Sequence, residues 1–124
     1  MEKYKKTYGS LGERAAAEFL KKAGHKIIEA NYTCKIGEAD IISRDGEYIV
    51  FSEVKTRRSD AYGTPAEAVN FYKQRKIVAV ANWYLTSHGL SDPVRLDVIE
   101  VWGKLSGEDL LVTKINQIKN AIVM

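Results

Sequence analysis

Three carboxylates and one lysine stand on two adjacent strand-like segments, in a pattern typical of a divalent-cation site. The segments are residues 38–43 and 47–55, and both are rich in aliphatic and aromatic side chains. Side chains alternate between the two faces of a strand, so residues two positions apart project from the same side. The pattern therefore predicts one face that carries four charged groups: Glu38, Asp40, Glu53 and Lys55.

A predicted hairpin turn sets the register between the two segments. Asp45-Gly46 is a favoured dipeptide for a two-residue turn, and this turn pairs residue 44 with residue 47. In that register Asp40 and Glu53 are diagonal neighbours, about 7–8 Å apart at Cα. Two carboxylates at that separation can converge on one cation, with oxygen–metal distances of about 2.1 Å for Mg²⁺.

Clustered carboxylates on paired strands repel one another, and this repulsion is the physical reason to expect a cation. A bound divalent ion together with Lys55 would relieve it. The alternative is a solvated hairpin face that is merely decorated with charges. Against that alternative, residues 49–51 and Val54 surround Glu53 with the apolar content of a buried strand, where an unpaired charge is costly.

Two helices are predicted on either side of this hairpin. Ser10 to Glu13 has the capping-box pattern, apolar residues recur at helical spacing over residues 11–23, and Gly24 follows as a C-terminal cap. Thr64 to Glu67 is a second capping pattern, with proline at the first helical position. We expect the helix that it opens to end at residue 87 or 88, before Gly89.

Further strands are predicted at residues 26–30, 94–102 and 110–115, followed by a short helix at 117–123. Arg95 and Asp97 are expected to point outward from their strand. The strand–helix–strand unit from 47 to 102 needs a crossover that lays its two strands parallel. The order α-β-β-β-α-β predicts one mixed α/β domain over residues 1–124, with a central sheet flanked by helices.

Composition excludes several classes of protein. The chain has 124 residues, 45% hydrophobic and 28% charged, as expected for one globular domain. No window is apolar enough to span a membrane, and no apolar segment follows the basic N-terminus as in a secretory signal. The single cysteine, Cys34, cannot form an internal disulfide. We therefore expect a cytoplasmic protein without a membrane partner.

The net charge is only +3, but its distribution is uneven. Residues 1–35 carry eight basic and four acidic side chains, residues 36–54 one basic and five acidic, and residues 55–76 six basic and two acidic. An acidic centre between two basic blocks suits a cation site between phosphate-contacting arms. Statistical clumping is the alternative.

Short motifs spread from residue 9 to about residue 97 define a family likeness. They are Gly9-x-x-Gly12-Glu13, Asn31-Tyr32, Gly37-Glu38-Ala39-Asp40, Phe51-Ser52-Glu53-Val54-Lys55-Thr56-Arg57, Ala68, Lys73-Gln74-Arg75 and Arg95-Leu96-Asp97. They resemble the YraN family of small bacterial proteins, which is related to archaeal Holliday-junction resolvases and to the PD-(D/E)xK nuclease superfamily. The resemblance implies a restriction-endonuclease-like core, in agreement with the order of elements.

The resemblance also implies a metal-dependent endonuclease that hydrolyses DNA phosphodiester bonds with Mg²⁺ or Mn²⁺. On it, Asp40 and Glu53 are metal ligands, helped by the carbonyl of Val54, and Lys55 orients and polarises the attacking water. Such hydrolysis needs in-line attack by water, neutralised phosphate oxygens and a stabilised leaving oxygen. Branched or irregular DNA as substrate, and a homodimer, are expected by analogy with resolvases.

Glu13 and Glu38 are two further candidate ligands. In resolvase-like enzymes a glutamate of the first helix enters the metal site, whereas Glu13 could instead only close the capping box with Ser10. Glu38 is a candidate for direct or water-mediated ligation, and a solvated side chain is the alternative.

Basic side chains after the second strand and in the second helix are candidates for contacts with phosphates: Arg57, Arg58, Lys73, Arg75 and Lys76. Tyr62, in the loop after Arg58, could stack on an exposed base. Each of these residues taken alone is more often an ordinary solvated side chain. The alternative function is a nucleic-acid-binding protein that retains the acidic metal site but does not cleave.

Overall fold

The computed structural model describes residues 7–58 and 71–123 of the chain. The elements in these ranges are α1 (Tyr8–Lys22), β1 (Lys26–Thr33), β2 (Glu38–Asp45), β3 (Tyr48–Arg58), α2 (Phe71–Ser87), β4 (Val94–Ser106) and β5 (Asp109–Ile122). The predicted mixed α/β class and the predicted order are confirmed. The predicted start of the second helix, at residues 64–67, lies outside the described residues.

The five strands of the described ranges form one sheet in the order β1-β2-β3-β4-β5. Neighbouring strands are antiparallel except β3 and β4, which are parallel. A parallel pair cannot be joined by a tight turn, and α2 lies in the crossover between these two strands. This mixed sheet with its helices is consistent with a restriction-endonuclease-like α/β fold.

The two helices cover opposite faces of the sheet. On one face, Leu20 of α1 packs in a cluster with Ile41 and Ile99. On the other, Tyr84 of α2 packs in a cluster with Ile42 and Val98. Since residues 41 and 42, and likewise 98 and 99, are sequence neighbours, the alternation of side chains along each strand supplies both cores. Neither helix of the described ranges is long and apolar enough to cross a membrane.

The first helix begins at Tyr8, three residues before the predicted start at residue 11. Thr7 is the N-cap: its side chain accepts a hydrogen bond from the Ser10 amide at 3.0 Å, and the Ser10 hydroxyl accepts from the Thr7 amide at 2.9 Å. The prediction that Ser10 caps the helix is therefore wrong, because its hydroxyl closes the box from within the first turn. Glu13 is thereby released from a capping role. The prediction that Gly24 caps the C-terminal end of this helix is confirmed, since Gly24 has a φ of 98°.

The register of the β2–β3 hairpin also differs from the prediction. Asp45 pairs with Tyr48 and Ile41 with Ser52, so Gly46 and Glu47 form the turn instead of Asp45 and Gly46. Gly46 has a φ of 60° at the first central position, where glycine is required in one of the two favoured hairpin turns. Each pairing changes by two residues, which preserves the face on which every side chain lies.

The segment predicted to be a helix, residues 117–123, forms the second half of β5 up to Ile122. Its apolar residues Ile115, Ile118 and Ile122 have helical spacing, yet they pair with Val101, Val98 and Leu96 of β4. Register irregularities, one of them between the Val98 and Leu96 pairings, place extra residues in β5. Ile115 and Ile118 lie on opposite faces of the sheet, and extra residues fall between Ile118 and Ile122, so a strand shows helical spacing here. The prediction of a helix at 117–123 is therefore wrong.

Asp97 is fully buried and holds this chain end in place, so the prediction that it points outward is wrong. Its carboxylate accepts hydrogen bonds from the Arg95 guanidinium, from the Gln117 amide side chain at 3.0 Å and from the Asn120 backbone at 2.8 Å. Arg95 also reaches Asp45 at 3.0 Å. A buried carboxylate satisfied in this way ties β4 to β5.

A close approach at Gly12 fixes the position of α1 on the sheet. A Cβ at this position would overlap the Thr56 side chain of β3, whereas a Cβ at Gly9 would meet nothing within 4 Å. Only glycine lets the helix lie this close to the strand. The adjacent residue is Glu13, so this approach also determines where that carboxylate lies.

Alanine substitution at these two glycines of α1 should separate packing from helix propensity. Gly12→Ala is expected to lower the free energy of unfolding by about 1–3 kcal/mol through overpacking against Thr56. Gly9→Ala is the matched control and should be neutral or stabilising, since alanine is favoured over glycine by up to about 1 kcal/mol in a helix. Urea denaturation measures both; equal effects would contradict the close approach.

Candidate metal and catalytic site

The predicted acidic residues line one cavity of about 510 Å³ where α1, the start of β2, the middle of β3 and α2 meet. Its charged lining combines four carboxylates with two lysines of α2: Glu13, Glu38, Asp40, Glu53, Lys73 and Lys76. Continuing the observed hairpin register by one residue sets Asp40 directly opposite Glu53. The two carboxylates are therefore nearer neighbours than the diagonal pair expected from the sequence.

Asp40 is held by the strand next to its own. Its Oδ2 accepts a hydrogen bond of 2.8 Å from the backbone amide of Val54. Burial raises the pKa of Asp40, and this hydrogen bond acts in the opposite direction by favouring the charged form. The bond orients the carboxylate towards the cavity. The backbone amide of Val54 thus contacts the site through Asp40. The role of the Val54 carbonyl as a metal ligand stays a prediction.

Glu53 and Lys55 lie two residues apart on β3 and share its cavity-facing side. The Lys55 Nζ is 3.6 Å from Glu53 Oε2, and the two side chains are 19% and 16% exposed. Burial and the charge of Asp40 raise the pKa of Glu53. Burial, together with contact with Lys73, lowers the pKa of Lys55. The site therefore holds a desolvated ammonium beside desolvated carboxylates, a combination that is frequent in active sites.

Glu13 enters the same cavity from α1. Burial, the charges of Asp40 and Glu38 and a hydrogen bond with Asp40 raise the pKa of Glu13 to about 7. Near neutral pH the Glu13 carboxyl is therefore protonated in part, and a hydrogen bond links it to Asp40. Of the two alternatives for Glu13, the observed helix cap removes the structural one, because Ser10 pairs with Thr7.

The donor set fits Mg²⁺ or Mn²⁺ in its chemistry. In the described part of the chain, no three Asp, Glu, His or Cys side chains are already arranged to hold an ion by themselves. Mg²⁺, however, is commonly bound through one or two carboxylates, with water and substrate phosphate completing its shell. Asp40 and Glu53 supply such a pair of hard oxygen ligands, and Glu13 and Glu38 line the same cavity.

The predicted phosphate contacts divide into two groups. Lys73 and Lys76 line the acidic cavity, and Arg75 lines a hollow beside it. Arg57 lies two residues beyond Lys55 on the same strand and so on the same face. Arg58 instead lines a separate hollow with Tyr8 and Lys104. Tyr62 lies outside the described residues.

Two residues of this region were not predicted from the sequence. Tyr72 lines the cavity and is 71% exposed. The sequence contained a sign of this position, because Tyr72 directly precedes the basic residues of α2. Glu100 is buried and pairs in register with Lys55. Its Oε1 accepts from Asn116, whereas Oε2 has no partner among the described residues. Only the β3–β4 register reveals it.

Comparison with known proteins places the chain beside a family of short proteins. Residues 12–101 match the model of uncharacterised protein family UPF0102. A UPF0102 protein of Caldanaerobacter subterraneus subsp. tengcongensis is 50% identical over 118 residues, which is 94% of this chain and 95% of the relative. A UPF0102 protein of Acetivibrio thermocellus is 47% identical over 119 residues, 94% of this chain and 92% of the relative.

The raised pKa of Glu13 predicts a pH-dependent stability in the absence of metal. The ordinary pKa of this carboxyl is 4.5, and burial together with the neighbouring carboxylates raises the pKa to about 7 in the folded protein. Between these values the unfolded chain loses the proton first, so the free energy of unfolding falls as the pH rises. Glu13→Gln should flatten this fall and stabilise the protein at neutral pH. Denaturant unfolding in EDTA measures it.

Glu18→Gln is the matched control for that experiment, since Glu18 lies on the same helix with its side chain 59% exposed. It should leave the pH dependence as in the wild type. A Glu13→Gln profile that parallels the wild type between pH 4.5 and 7 would contradict the buried position of this carboxyl.

Proposed function

The chain belongs to the YraN-like protein family UPF0102, and we propose that it is a metal-dependent nuclease that hydrolyses phosphodiester bonds in DNA. The observation that carries the proposal is the content of one cavity. Two strand carboxylates line it, Lys55 lies beside one of them with its side chain 19% exposed, and two lysines of α2 complete the charged lining. Phosphodiester hydrolysis requires this combination of anionic ligands for a metal and cationic groups for phosphate.

In this proposal Mg²⁺ or Mn²⁺ is held by Asp40 and Glu53. Glu13, Glu38 and the Val54 carbonyl are further candidate ligands. A bound ion supplies neutralisation of the phosphate oxygens and a more acidic water. The hydrogen bond from the Val54 amide fixes the Asp40 carboxylate before any ion arrives, which reduces the cost of ordering the site on binding.

Lys55 is the residue proposed to act on the reacting atoms. Its ammonium, 3.6 Å from the Glu53 carboxylate, can orient the attacking water and offset the charge that develops on the phosphate. Burial and Lys73 lower the pKa of Lys55, so a proton leaves this side chain more readily than from a solvated lysine.

The cations in and beside the cavity are proposed to position the DNA. Lys73 and Lys76 line the cavity, and Arg57 follows Lys55 on the same face of β3. Contacts of this kind fix the position of the backbone and carry no sequence information. Branched or irregular DNA as the substrate, a homodimer and a cytoplasmic location stay predictions.

Replacement of Lys55 tests whether this site performs the cleavage. Lys55→Ala should lower the single-turnover rate on flapped or four-way DNA by about 10²–10³, since one preorganised electrostatic partner is lost. Equilibrium binding to the same DNA should change far less, because the interaction is made mainly in the transition state. EDTA should abolish cleavage by the wild type.

Lys21→Ala is the control for this variant, since it removes one charge from an exposed side chain of α1 that does not line the cavity. A Lys55→Ala protein that cuts as fast as the wild type would place the activity elsewhere. A wild type that binds DNA but cuts no structure with Mg²⁺ or Mn²⁺ would support the non-cleaving binding protein instead.

The opposite placement of Arg57 and Arg58 yields a second test. Arg57→Gln should make the dependence of log Kd on log salt shallower by about 0.9 for each lost phosphate contact. Arg58→Gln removes the same charge from the other face and should leave the slope unchanged. Fluorescence anisotropy across a salt series measures both slopes. Equal slopes in the two variants would contradict the assignment of Arg57 to the DNA-binding surface.

A further inference from the structure

A second hollow adjoins the acidic cavity on the side of α2. It measures about 380 Å³ and is lined by Ile36, Tyr72, Arg75, Lys76 and Ala79. Tyr72 and Lys76 line both spaces and so form the wall between them. The size of the hollow lies within the range of pockets for small ligands, about 300–1,000 Å³.

We infer that this hollow is a subsite for one unpaired nucleobase next to the bond that is cleaved, with the ring of Tyr72 as its stacking surface. The inference rests on the proposed function, since it takes DNA as the ligand of the neighbouring cavity. It names the class of substrate: DNA that presents an unpaired nucleotide at the cleavage position, as in a flap, a junction or a single strand.

The exposure of Tyr72 is the first observation behind this inference. The residue is 71% exposed, the second highest value among the large exposed hydrophobic residues of the described chain. By contrast, Tyr84 on the same helix is 4% exposed and packs against Tyr32 and Phe51. An aromatic ring offered to solvent at the wall of a charged cavity provides a face on which a base of any sequence can stack.

The chemistry around the ring is the second observation. The Lys76 ammonium lies 5.7 Å from the ring centre of Tyr72, one helical turn further along α2. Ile36 and Ala79 give the hollow apolar walls, and Arg75 and Lys76 add cations. A nucleotide requires this pairing, with an apolar surface for the base and positive charge for the phosphates that flank it.

The position beside the acidic cavity is the third observation. A base inside an intact duplex is stacked on both faces, so it can reach Tyr72 only if it is unpaired or turned out of the helix. The ring separates the base hollow from the carboxylates that are proposed to hold the metal. A nucleotide stacked there would direct its adjacent phosphate into the acidic cavity.

The test compares binding of full-length wild type and Tyr72→Ala to three DNAs in EDTA, which prevents metal-dependent cleavage. The probes are a blunt duplex, a short oligothymidylate, and a flapped duplex with 2-aminopurine at the unpaired position next to the junction. Tyr72→Ala should weaken binding to the flap and the single strand about five- to 150-fold, the loss expected for one stacked base. Binding to the blunt duplex should remain unchanged.

Two further variants make the result specific. Tyr72→Phe keeps the ring and should bind as the wild type does, with 2-aminopurine fluorescence quenched on binding. Tyr48→Ala removes a ring that is 37% exposed and that lies at the other end of β3, near Arg95, and it should leave all three affinities unchanged. Tyr72→Ala should abolish the quenching.

The outcomes distinguish the subsite from the nuclease. Equal affinity of wild type and Tyr72→Ala for the flap, or an equal loss on the blunt duplex, would overturn the subsite even if the protein cleaves DNA. A loss confined to unpaired DNA, in a protein that cuts nothing when Mg²⁺ or Mn²⁺ is supplied, would support the subsite and overturn the nuclease. A wild type that binds none of the three DNAs would overturn both.

Discussion

Several carboxylates share one partly buried cavity and repel one another. The arrangement of charged groups around the cavity has to offset this repulsion. Glu13, Asp40 and Glu53 come from three different elements, and burial raises the pKa of each of them. Lys73 lines the same cavity and Lys55 lies beside Glu53, and the charges of both lysines lower the pKa values of Asp40 and Glu53. Charge is thus balanced in part, which leaves the site favourable to a further cation.

A second cluster of buried charge at the far end of the hairpin shows the contrasting case. There Asp97 accepts hydrogen bonds from Arg95, Gln117 and Asn120, and Arg95 also binds Asp45. The hydrogen bonds with Arg95 lower the pKa of Asp45, so the charged form is favoured. One cluster is satisfied by the protein itself and fastens the end of β5. In the other cluster, the acidic cavity, the protein balances the negative charge only in part, as expected of a site that binds a ligand.

The backbone supports the cavity through two contacts. The Val54 amide orients Asp40 across the β2–β3 pair, and the absence of a side chain at Gly12 lets α1 approach Thr56 closely. Neither contact involves a reacting group, yet each determines where a carboxylate lies. Substitutions at such positions can change the site without removing any of its ligands.

The class of fold, the central hairpin and the set of charged residues on its cavity face follow from the order and type of the residues. Alternation along a strand fixes the face of a side chain, and the two-residue error in the turn preserved that face for Asp40 and Glu53. The helical spacing of Ile115, Ile118 and Ile122 was misleading, because the first two lie on opposite faces of the sheet and a bulge separates the last two. Local pattern cannot distinguish an interrupted strand from a helix.

Packing between distant elements determines which other residues join the hairpin at the cavity. Glu13 enters the cavity because α1 lies against β3 at Gly12, and Tyr72 lines it because α2 crosses the other face of the sheet. The burial of Asp97 likewise became visible only with β5 in place. These placements depend on packing between elements far apart in the chain, and residue type and spacing carry no direct record of it.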